Sequence, residues 1–189
     1  MTITTLDTNT ALIIVDLQTG ILALPTIEPI PEISQRAGAL AEAFRRHGLP
    51  VVLVNVDGGP ATRTEQNPSG TALEMTADMT VFVAELNQQA GDHVVTKRTW
   101  GSFTNTGLEE HLRSLSVTQV VIVGVATSAG VESTARQSHE AGFNVTLAID
   151  AMTDMSAEAH ENSVLRIFPR IGETATTDEI ITLLGLTRS

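Results

Sequence analysis

The chain has 189 residues, of which 42% are hydrophobic and 17% charged, a composition typical of a globular protein with one sizeable core. It contains no cysteine, which excludes disulfides, thiolate metal sites and thiol catalysis. Its formal net charge of -11 argues against nucleic acid as a partner, because phosphate binding requires a basic surface.

The sequence also argues against a membrane partner. No apolar run approaches the roughly 20 residues that span a bilayer. The first ten residues lack the basic and apolar segments of a secretory signal. We therefore expect one cytoplasmic domain over residues 1–189.

In the first half of the chain, two strands and two helices are predicted. Short apolar runs indicate buried strands, and apolar side chains three and four residues apart indicate helices. In chain order these elements are the strand 11–15, the helix 33–44, the strand 51–56, the loop 57–71 and the helix 79–86. The loop is rich in Gly, Pro, Thr and Asn, and it is long enough to cover a site.

The second half continues the same alternation of strands and helices. In chain order the elements are the strand 93–96, the helix 108–115, the strand 120–125, the helix 131–138, the strand 144–149, the helix 157–168, the strand 171–174 and a helix through 180–184. Thr106 and Glu109 have capping-box spacing, Ser156 and Thr177 are expected to cap helices, and Pro169 is expected to end one. This order predicts a three-layer α/β sandwich, a mostly parallel six-stranded sheet with helices on both faces.

The turn 126–130, between the fourth strand and the next helix, consists of small residues. Such a turn at the carboxyl end of a parallel strand is where open α/β sheets hold ligands. The first N–H groups of a helix lack intrahelical partners, so they can bind an anion or an oxygen that becomes anionic during a reaction. The turn offers no side chain that can attack a substrate.

Asp16 and Lys97 follow two other strands, and Lys97 is the chain's one lysine beside ten arginines. Because the carboxyl ends of parallel strands share one edge, we expect both side chains near the turn. Each part has a structural alternative: Asp16 could cap a turn, Lys97 could be a solvated charge, and the small residues could allow close packing. Their coincidence at one edge favours a functional site.

Four segments resemble the isochorismatase-like hydrolase superfamily, also called the cysteine hydrolases. They read ALIIVDLQ, TKRTWGSFTNTGL, VIVGVATSAGVESTAR and LAIDAMTD, in the family's order and spacing. The resemblance implies a Rossmann-like sheet, a homodimer or larger homo-oligomer, and an active site of Asp, Lys and Cys. Asp16 and Lys97 match the first two residues, but Gly130 stands at the cysteine position.

Gly130 closes the covalent route of the amide-cleaving relatives, because glycine has no nucleophile. Members that resemble true isochorismatases have glycine there and hydrolyse a vinyl ether without a covalent intermediate. In that chemistry Asp16 is the general acid and Lys97 its electrostatic partner. The resemblance also implies a non-proline cis peptide at Val125–Ala126 and an oxyanion hole at the N–H groups of Ala126 and Gly130.

Several further residues are expected around a small-molecule substrate. Gln18 is a candidate polar contact to the substrate or to water, and Trp100 a candidate pocket wall. Phe103 could line the pocket or pack under its loop. Arg63 could bind a carboxylate or be a solvated surface arginine. The remaining candidate contacts are in the turn: Ala126, Thr127 and Ala129.

No metal or other cofactor is expected. Nicotinamidase relatives carry an Asp and two His as a metal site after the second strand, and here that region reads VNVDGGPATR, without histidine. The five histidines of the chain show no ligand spacing.

Three hypotheses about function follow. The first is a thiol-free small-molecule hydrolase, closest to vinyl-ether hydrolysis. The second is a catalytically inactive relative that binds a ligand or serves as a scaffold, and the third is an amidase-type protein whose Cys has been replaced at Gly130. Under the first, the protonation of Asp16 decides its role. A nearby ammonium lowers the pKa of a carboxyl and burial raises it, so Asp16 acts as an acid if neutral and as a base if ionised.

Overall fold

The computed structural model describes residues 3–72 and 74–187, and its centre is a six-stranded sheet in which every neighbouring pair is parallel. The strands lie in the order β3-β2-β1-β4-β5-β6. They are β1 (Thr10–Val15), β2 (Val51–Val56), β3 (His93–Lys97), β4 (Gln119–Val125), β5 (Asn144–Thr153) and β6 (Glu173–Ala175). The predicted α/β architecture is confirmed.

Both faces of the sheet are buried, which explains the continuous apolar runs in the sequence. In β1, Leu12 and Ile14 pack into one hydrophobic core, while Ala11, Ile13 and Val15 pack into the other, all at 0% exposure. Side chains alternate between the faces of a strand, so a strand covered on both sides is apolar at most of its positions.

Helices cover both faces of the sheet. In the described part of the chain they are α1 (Ile30–Arg46), α2 (Leu108–Ser114), α3 (Glu132–Glu140), α4 (Ala157–Asn162), α5 (Phe168–Ile171) and α6 (Thr177–Thr187). Phe44 of α1 and Ile180 of α6 pack into the first core. Leu112 of α2, Ala135 of α3 and Phe168 of α5 pack into the second. The result is a three-layer sandwich.

The predicted helix over 79–86 is wrong. The chain there forms two short 3₁₀ turns, Ala77–Thr80 and Ala84–Leu86, and Phe82 makes an isolated antiparallel bridge with Gln18. Leu86 is buried, whereas Met79 is 41% exposed. The apolar residues of this segment have helical spacing, but they do not form one continuous buried face. The conformation of the backbone follows instead from its contacts with the loop after β1.

The capping predictions are confirmed at one helix and wrong at another. Ser156 caps α4, since its side chain accepts a hydrogen bond from the N–H of Ala159 at 3.2 Å. The capping box of Thr106 and Glu109 does not form, because Gly107, with a φ of +72°, precedes α2 and the Thr106 hydroxyl donates to a backbone carbonyl.

At α6 the reciprocal capping contacts are made one residue earlier than predicted. The N–H of Thr176 donates to Glu179 Oε2 at 2.8 Å, and the N–H of Glu179 donates to Thr176 Oγ1 at 3.3 Å. Thr177 is instead the first residue of the helix.

Pro169 does not end a helix. A π-helical turn, Ser163–Ile167, joins α4 to α5, and Pro169 lies in the first turn of α5, where its missing N–H is not needed. The following strand therefore begins at Glu173, and Ile171 belongs to α5.

Strand β5 is longer than predicted because its pairing with β4 contains a bulge. Ile122 pairs with Leu147, whereas Gly124 pairs with Met152, so several residues of β5 are inserted between the two pairs. The strand continues to Thr153. Asp154, rather than Asp150, therefore follows the strand at the carboxyl edge of the sheet.

β1 and β4 approach each other closely at Gly124. In the strand order β3-β2-β1-β4-β5-β6, the direction in which successive strands are added reverses between β1 and β4. The crevice at such a switch point is where doubly wound sheets bind ligands. Gly124 has a φ of +122°, and a Cβ added to it would lie 2.0 Å from the Val15 carbonyl oxygen. Glycine at this position thus permits the spacing of the two strands beside the crevice.

We expect Gly124→Ala to destabilise the protein by about 3 kcal/mol or more, because the side chain introduces both a steric overlap and an unfavourable φ. Urea unfolding followed by circular dichroism measures the change. Gly91→Ala is the matched control, since nothing lies within 4 Å of a Cβ at Gly91 and its φ is not positive. Equal stability of the two variants would contradict this account.

Candidate active site

Asp16 and Lys97 form a buried ion pair at the carboxyl edge of the sheet. Asp16 follows β1, Lys97 ends β3, and β2 lies between these strands. Lys97 Nζ lies 2.7 Å from Asp16 Oδ2, and it also donates to the carbonyl oxygens of Thr99 at 3.1 Å and Trp100 at 2.9 Å. An ammonium group has three N–H donors, so these acceptors account for all of them. Lys97 can therefore orient the acid but has no donor left for a substrate.

Asp16 has the properties of a carboxyl group that titrates near neutral pH. Its exposure is 7%, and burial raises its pKa to about 6, against the opposing charge and hydrogen bond of Lys97. Its second oxygen, Oδ1, is buried and has no hydrogen-bond partner in the described part of the protein. A buried polar atom without a partner is costly, so Oδ1 is the atom expected to carry the acid proton.

The turn after β4 lies beside this pair. It is a single π-helical turn, Thr127–Val131, which leads directly into α3. The Val125–Ala126 peptide bond that precedes it is cis, as the resemblance implied. The carbonyl oxygen of Ala126 accepts hydrogen bonds from the N–H groups of Ala129 and Val131, both at 3.1 Å. The backbone of the turn is thereby held at the crevice.

Gly130 is enclosed so tightly that even a methyl group would require its neighbours to move. An added Cβ would lie 3.1 Å from Val15 Cγ1 and 3.2 Å from both Asp16 Oδ2 and the Val125 carbonyl oxygen. Carbon atoms normally pack at about 3.5–4.0 Å. The absence of a side chain at Gly130 therefore lets the Asp16 carboxylate approach the turn closely.

A cavity of about 330 Å³ opens at this edge, a volume suited to a small molecule. Asp16, Lys97 and Gly130 contribute to its lining, together with Ala126 and Ala129 of the turn. Trp100 also lines it. Its other walls are mainly apolar and include Ile21, Leu24, Val56, Pro60 and Met155.

Gln18 does not lie in the cavity lining, in contrast to its expected substrate contact. It is completely buried, and its amide nitrogen donates to the carbonyl oxygens of Val56 at 3.0 Å and Met79 at 2.9 Å. Its amide oxygen accepts from the N–H of Val56 at 2.7 Å. Both ends of the amide are thus bound to backbone, and Gln18 holds the surrounding loops together.

Phe103 and Thr127 are also outside the cavity lining. Phe103 packs against Phe143 in the second core, with ring centroids 6.2 Å apart. The Thr127 hydroxyl donates to the Thr153 carbonyl oxygen at 3.1 Å and lies 2.9 Å from His160 Nδ1. Both side chains therefore contact other parts of the protein and do not line the cavity. Arg63 is exposed and is not part of the lining.

Asp154 is a component of this region that the sequence analysis missed. Its side chain is buried, its Oδ2 accepts from the N–H of Ser128 at 2.7 Å, and its Oδ1 accepts from the N–H of Ser156 at 3.2 Å. The carboxylate thus connects the turn to the segment before α4. The second aspartate of LAIDAMTD was the available signal, but the bulge in β5 was needed to bring it to the edge.

Among residues 3–72 and 74–187, no group of three or more His, Asp or Glu side chains is placed to hold a metal ion. No helix in the same part of the chain is long and apolar enough to cross a membrane.

The six-stranded parallel sheet and the acid–amine pair beside the turn define an isochorismatase-like α/β protein. Residues 10–179 match the isochorismatase domain, and the chain belongs to this family of hydrolases. It is similar to two family members described as uncharacterized. The identity is 41% over 178 residues with YwoC of Bacillus subtilis, covering 92% of this chain and 93% of YwoC. It is 38% over 181 residues with YecD of Escherichia coli O157:H7, covering 93% and 96%.

A solved structure has the same fold over nearly its whole length. It is an isochorismatase family protein from Burkholderia thailandensis, with a TM-score of 0.91 and 34% sequence identity. The match covers 96% of this chain and 98% of that structure.

We expect Asp154→Ala to destabilise the protein by about 1–3 kcal/mol, because two partly buried hydrogen bonds from backbone N–H groups are lost. Asp154→Asn retains one acceptor oxygen and is expected to lose less. Urea unfolding compares the variants, with Asp178→Ala, at an exposed position in α6, as the control. A loss in Asp154→Ala no larger than that in the control would contradict the assigned role.

Proposed function

We propose that the protein is a small-molecule hydrolase that acts without a covalent thiol intermediate, with a reaction most like the vinyl-ether hydrolysis of isochorismate. The state of Asp16 carries this proposal. One of its oxygens is bound by Lys97, the other has no partner among the described residues, and its pKa is raised to about 6. A general acid must hold its proton near the working pH, and burial provides that condition here.

In the proposed reaction, the Asp16 proton moves to the terminal carbon of the vinyl ether, whose π electrons form the new C–H bond. The neighbouring carbon becomes an oxocarbenium ion. Water attacks this carbon, and its proton returns to the Asp16 carboxylate. The hemiketal then collapses to an alcohol and a carbonyl compound, which is pyruvate when the carbon carries a carboxylate. One water is consumed and the enzyme is regenerated.

Lys97 would act through Asp16 in this scheme. Once the proton has left, the ammonium 2.7 Å away stabilises the carboxylate that remains. The N–H groups of Ala126 and Gly130 would hold a substrate oxygen that gains negative charge. The homo-oligomer implied by the resemblance stays a prediction.

Two observations favour this proposal over its alternatives. An amidase would need a nucleophile at position 130, where this chain has glycine and where an added Cβ, 3.2 Å from Asp16 Oδ2, would require the carboxylate to shift by a few tenths of an ångström. A scaffold would have little use for the ion pair, because burying two charges adds little net stability and one carboxylate oxygen lacks a partner. A working acid, in contrast, requires both the ion pair with Lys97 and a carboxylate oxygen without a partner.

We expect Asp16→Asn to lower vinyl-ether hydrolysis by about a hundred-fold to ten-thousand-fold, the usual contribution of a general acid. Asn is the suitable replacement, because Asp16 has a φ of +55° and Asn tolerates such a backbone. Pyruvate release from isochorismate provides the assay. Asp178→Asn, at an exposed position, is the matched control.

Three results would contradict the proposal. Activity retained in Asp16→Asn would exclude Asp16 as the acid. Ligand binding by the wild type without turnover of any vinyl ether would favour an inactive relative. Amide hydrolysis that appears only in Gly130→Cys would favour an amidase-type protein that has lost its nucleophile.

The pH dependence provides a test of Lys97. If Asp16 is the acid, kcat/KM falls as the pH rises through about 6, the pKa at which the carboxyl loses its proton. The ammonium lowers this pKa, so Lys97→Met should raise it and move the fall to higher pH. Arg166→Met, at an exposed cation, should leave the profile in place. A wild-type rate that rises through pH 6 would instead show that Asp16 is a base.

A further inference from the structure

Two basic side chains line the cavity, and they differ in the donors that they can offer. The three donors of Lys97 are bound to Asp16, Thr99 and Trp100. Arg98 is the next residue, its side chain is 75% exposed, and it makes one ion pair, with Asp57 Oδ2 at 2.8 Å. A guanidinium has five N–H donors, so Arg98 retains donors that can reach a ligand.

An anion bound in this cavity would need such a group. The walls are mainly apolar, and a charge removed from water is costly unless it is paired. The protein as a whole carries a net charge of -11, so the long-range field does not favour anions. Arg98 and Lys97 are the only cationic residues among those lining the cavity, all of which lie in the described part of the chain.

The two sides of Arg98 differ in the charge of the residues around them. Arg98, Gly58 and Gly59 form a common border with a neighbouring cavity of about 440 Å³. That neighbouring cavity is lined by Asp57 and Glu74, two acidic residues. The Asp16 side of Arg98 holds one carboxyl group, which is paired with Lys97, whereas the other side holds two, so a negatively charged group is favoured on the Asp16 side.

We propose that Arg98 determines substrate specificity by binding the carboxylate next to the reacting bond of a small enol-ether substrate in the cavity. Asp57 competes for the same guanidinium and is displaced from it, or shares it, when the substrate binds. This inference rests on the proposed function for the identity of the reacting bond, a vinyl ether whose carbon bears the carboxylate. Binding of the carboxylate itself does not depend on turnover.

The kinetic test compares 2-methoxyacrylate with its neutral isostere 2-methoxyacrylamide, and methanol release reports hydrolysis of the enol ether in both. We expect Arg98→Gln to raise KM for the carboxylate about ten-fold to a hundred-fold, the usual loss for a charge-assisted hydrogen bond, with little change in kcat. KM for the amide should not change. Arg63→Gln, at an exposed arginine outside the cavity lining, is the matched control and should behave as the wild type.

A binding measurement separates this inference from the proposed function. The saturated analogue 2-methoxypropanoate cannot accept a proton at carbon, and calorimetry gives its Kd. We expect Arg98→Gln to weaken its binding by the same factor and Asp57→Asn to strengthen it. If the wild type binds the analogue and Arg98→Gln weakens it while no enol ether is hydrolysed, Arg98 retains its assignment and the proposed function fails.

Two results would overturn the assignment of Arg98. The first is a Kd and a KM in Arg98→Gln within two-fold of the wild type, which would place the carboxylate on the N–H groups of the turn. The second is a wild type that neither binds the saturated carboxylate nor hydrolyses the unsaturated one. Since the Arg98 side chain is largely exposed, the variant is expected to fold, and circular dichroism verifies this.

Discussion

The burial of one carboxyl group beside one ammonium group is the constraint on which the site depends. Burial raises the pKa of Asp16, Lys97 lowers it, and the net result lies near 6. Neither effect alone would serve. Without the ammonium, the ionised carboxylate formed during turnover would be too costly, and without burial the ammonium would hold the pKa of Asp16 below its ordinary value, leaving little of the acid protonated near pH 6. The three acceptors around Lys97 Nζ keep the ammonium in place.

Two glycines allow the backbone to come close enough for this arrangement. Gly124 lets β4 approach β1 at the switch point of the sheet, and Gly130 leaves room for the Asp16 carboxylate against the turn. Asp154 connects the same turn to the segment before α4 through two backbone N–H groups. The site therefore combines a close approach of two strands with a turn supported from a third, β5.

The mainly apolar cavity is consistent with a small substrate whose carboxylate binds to Arg98. The protein contains no thiol. The lining is mainly apolar apart from Asp16, Arg98 and Lys97, whose three donors are already bound. A substrate held at Arg98 would present its reacting carbon to Asp16 within one small cavity. Membership of the isochorismatase family gives the fold and the hydrolase class, and the two proposals depend on Gly130 beside Asp16 and on Arg98 paired with Asp57.

Local patterns of residues were enough to locate the six strands, apart from the ends of β5 and β6, and to predict that Asp16, Lys97 and the small-residue turn converge. These follow from local patterns and from one rule, that the carboxyl ends of parallel strands share an edge. The remaining features depend on contacts between distant parts of the chain. The conformation of residues 79–86 depended on contacts with the loop after β1. The position of Asp154 depended on how β5 paired with β4. The sign of the Asp16 pKa shift and the full use of the Gln18 amide depended on burial and on distant partners, which no local pattern of residues contains.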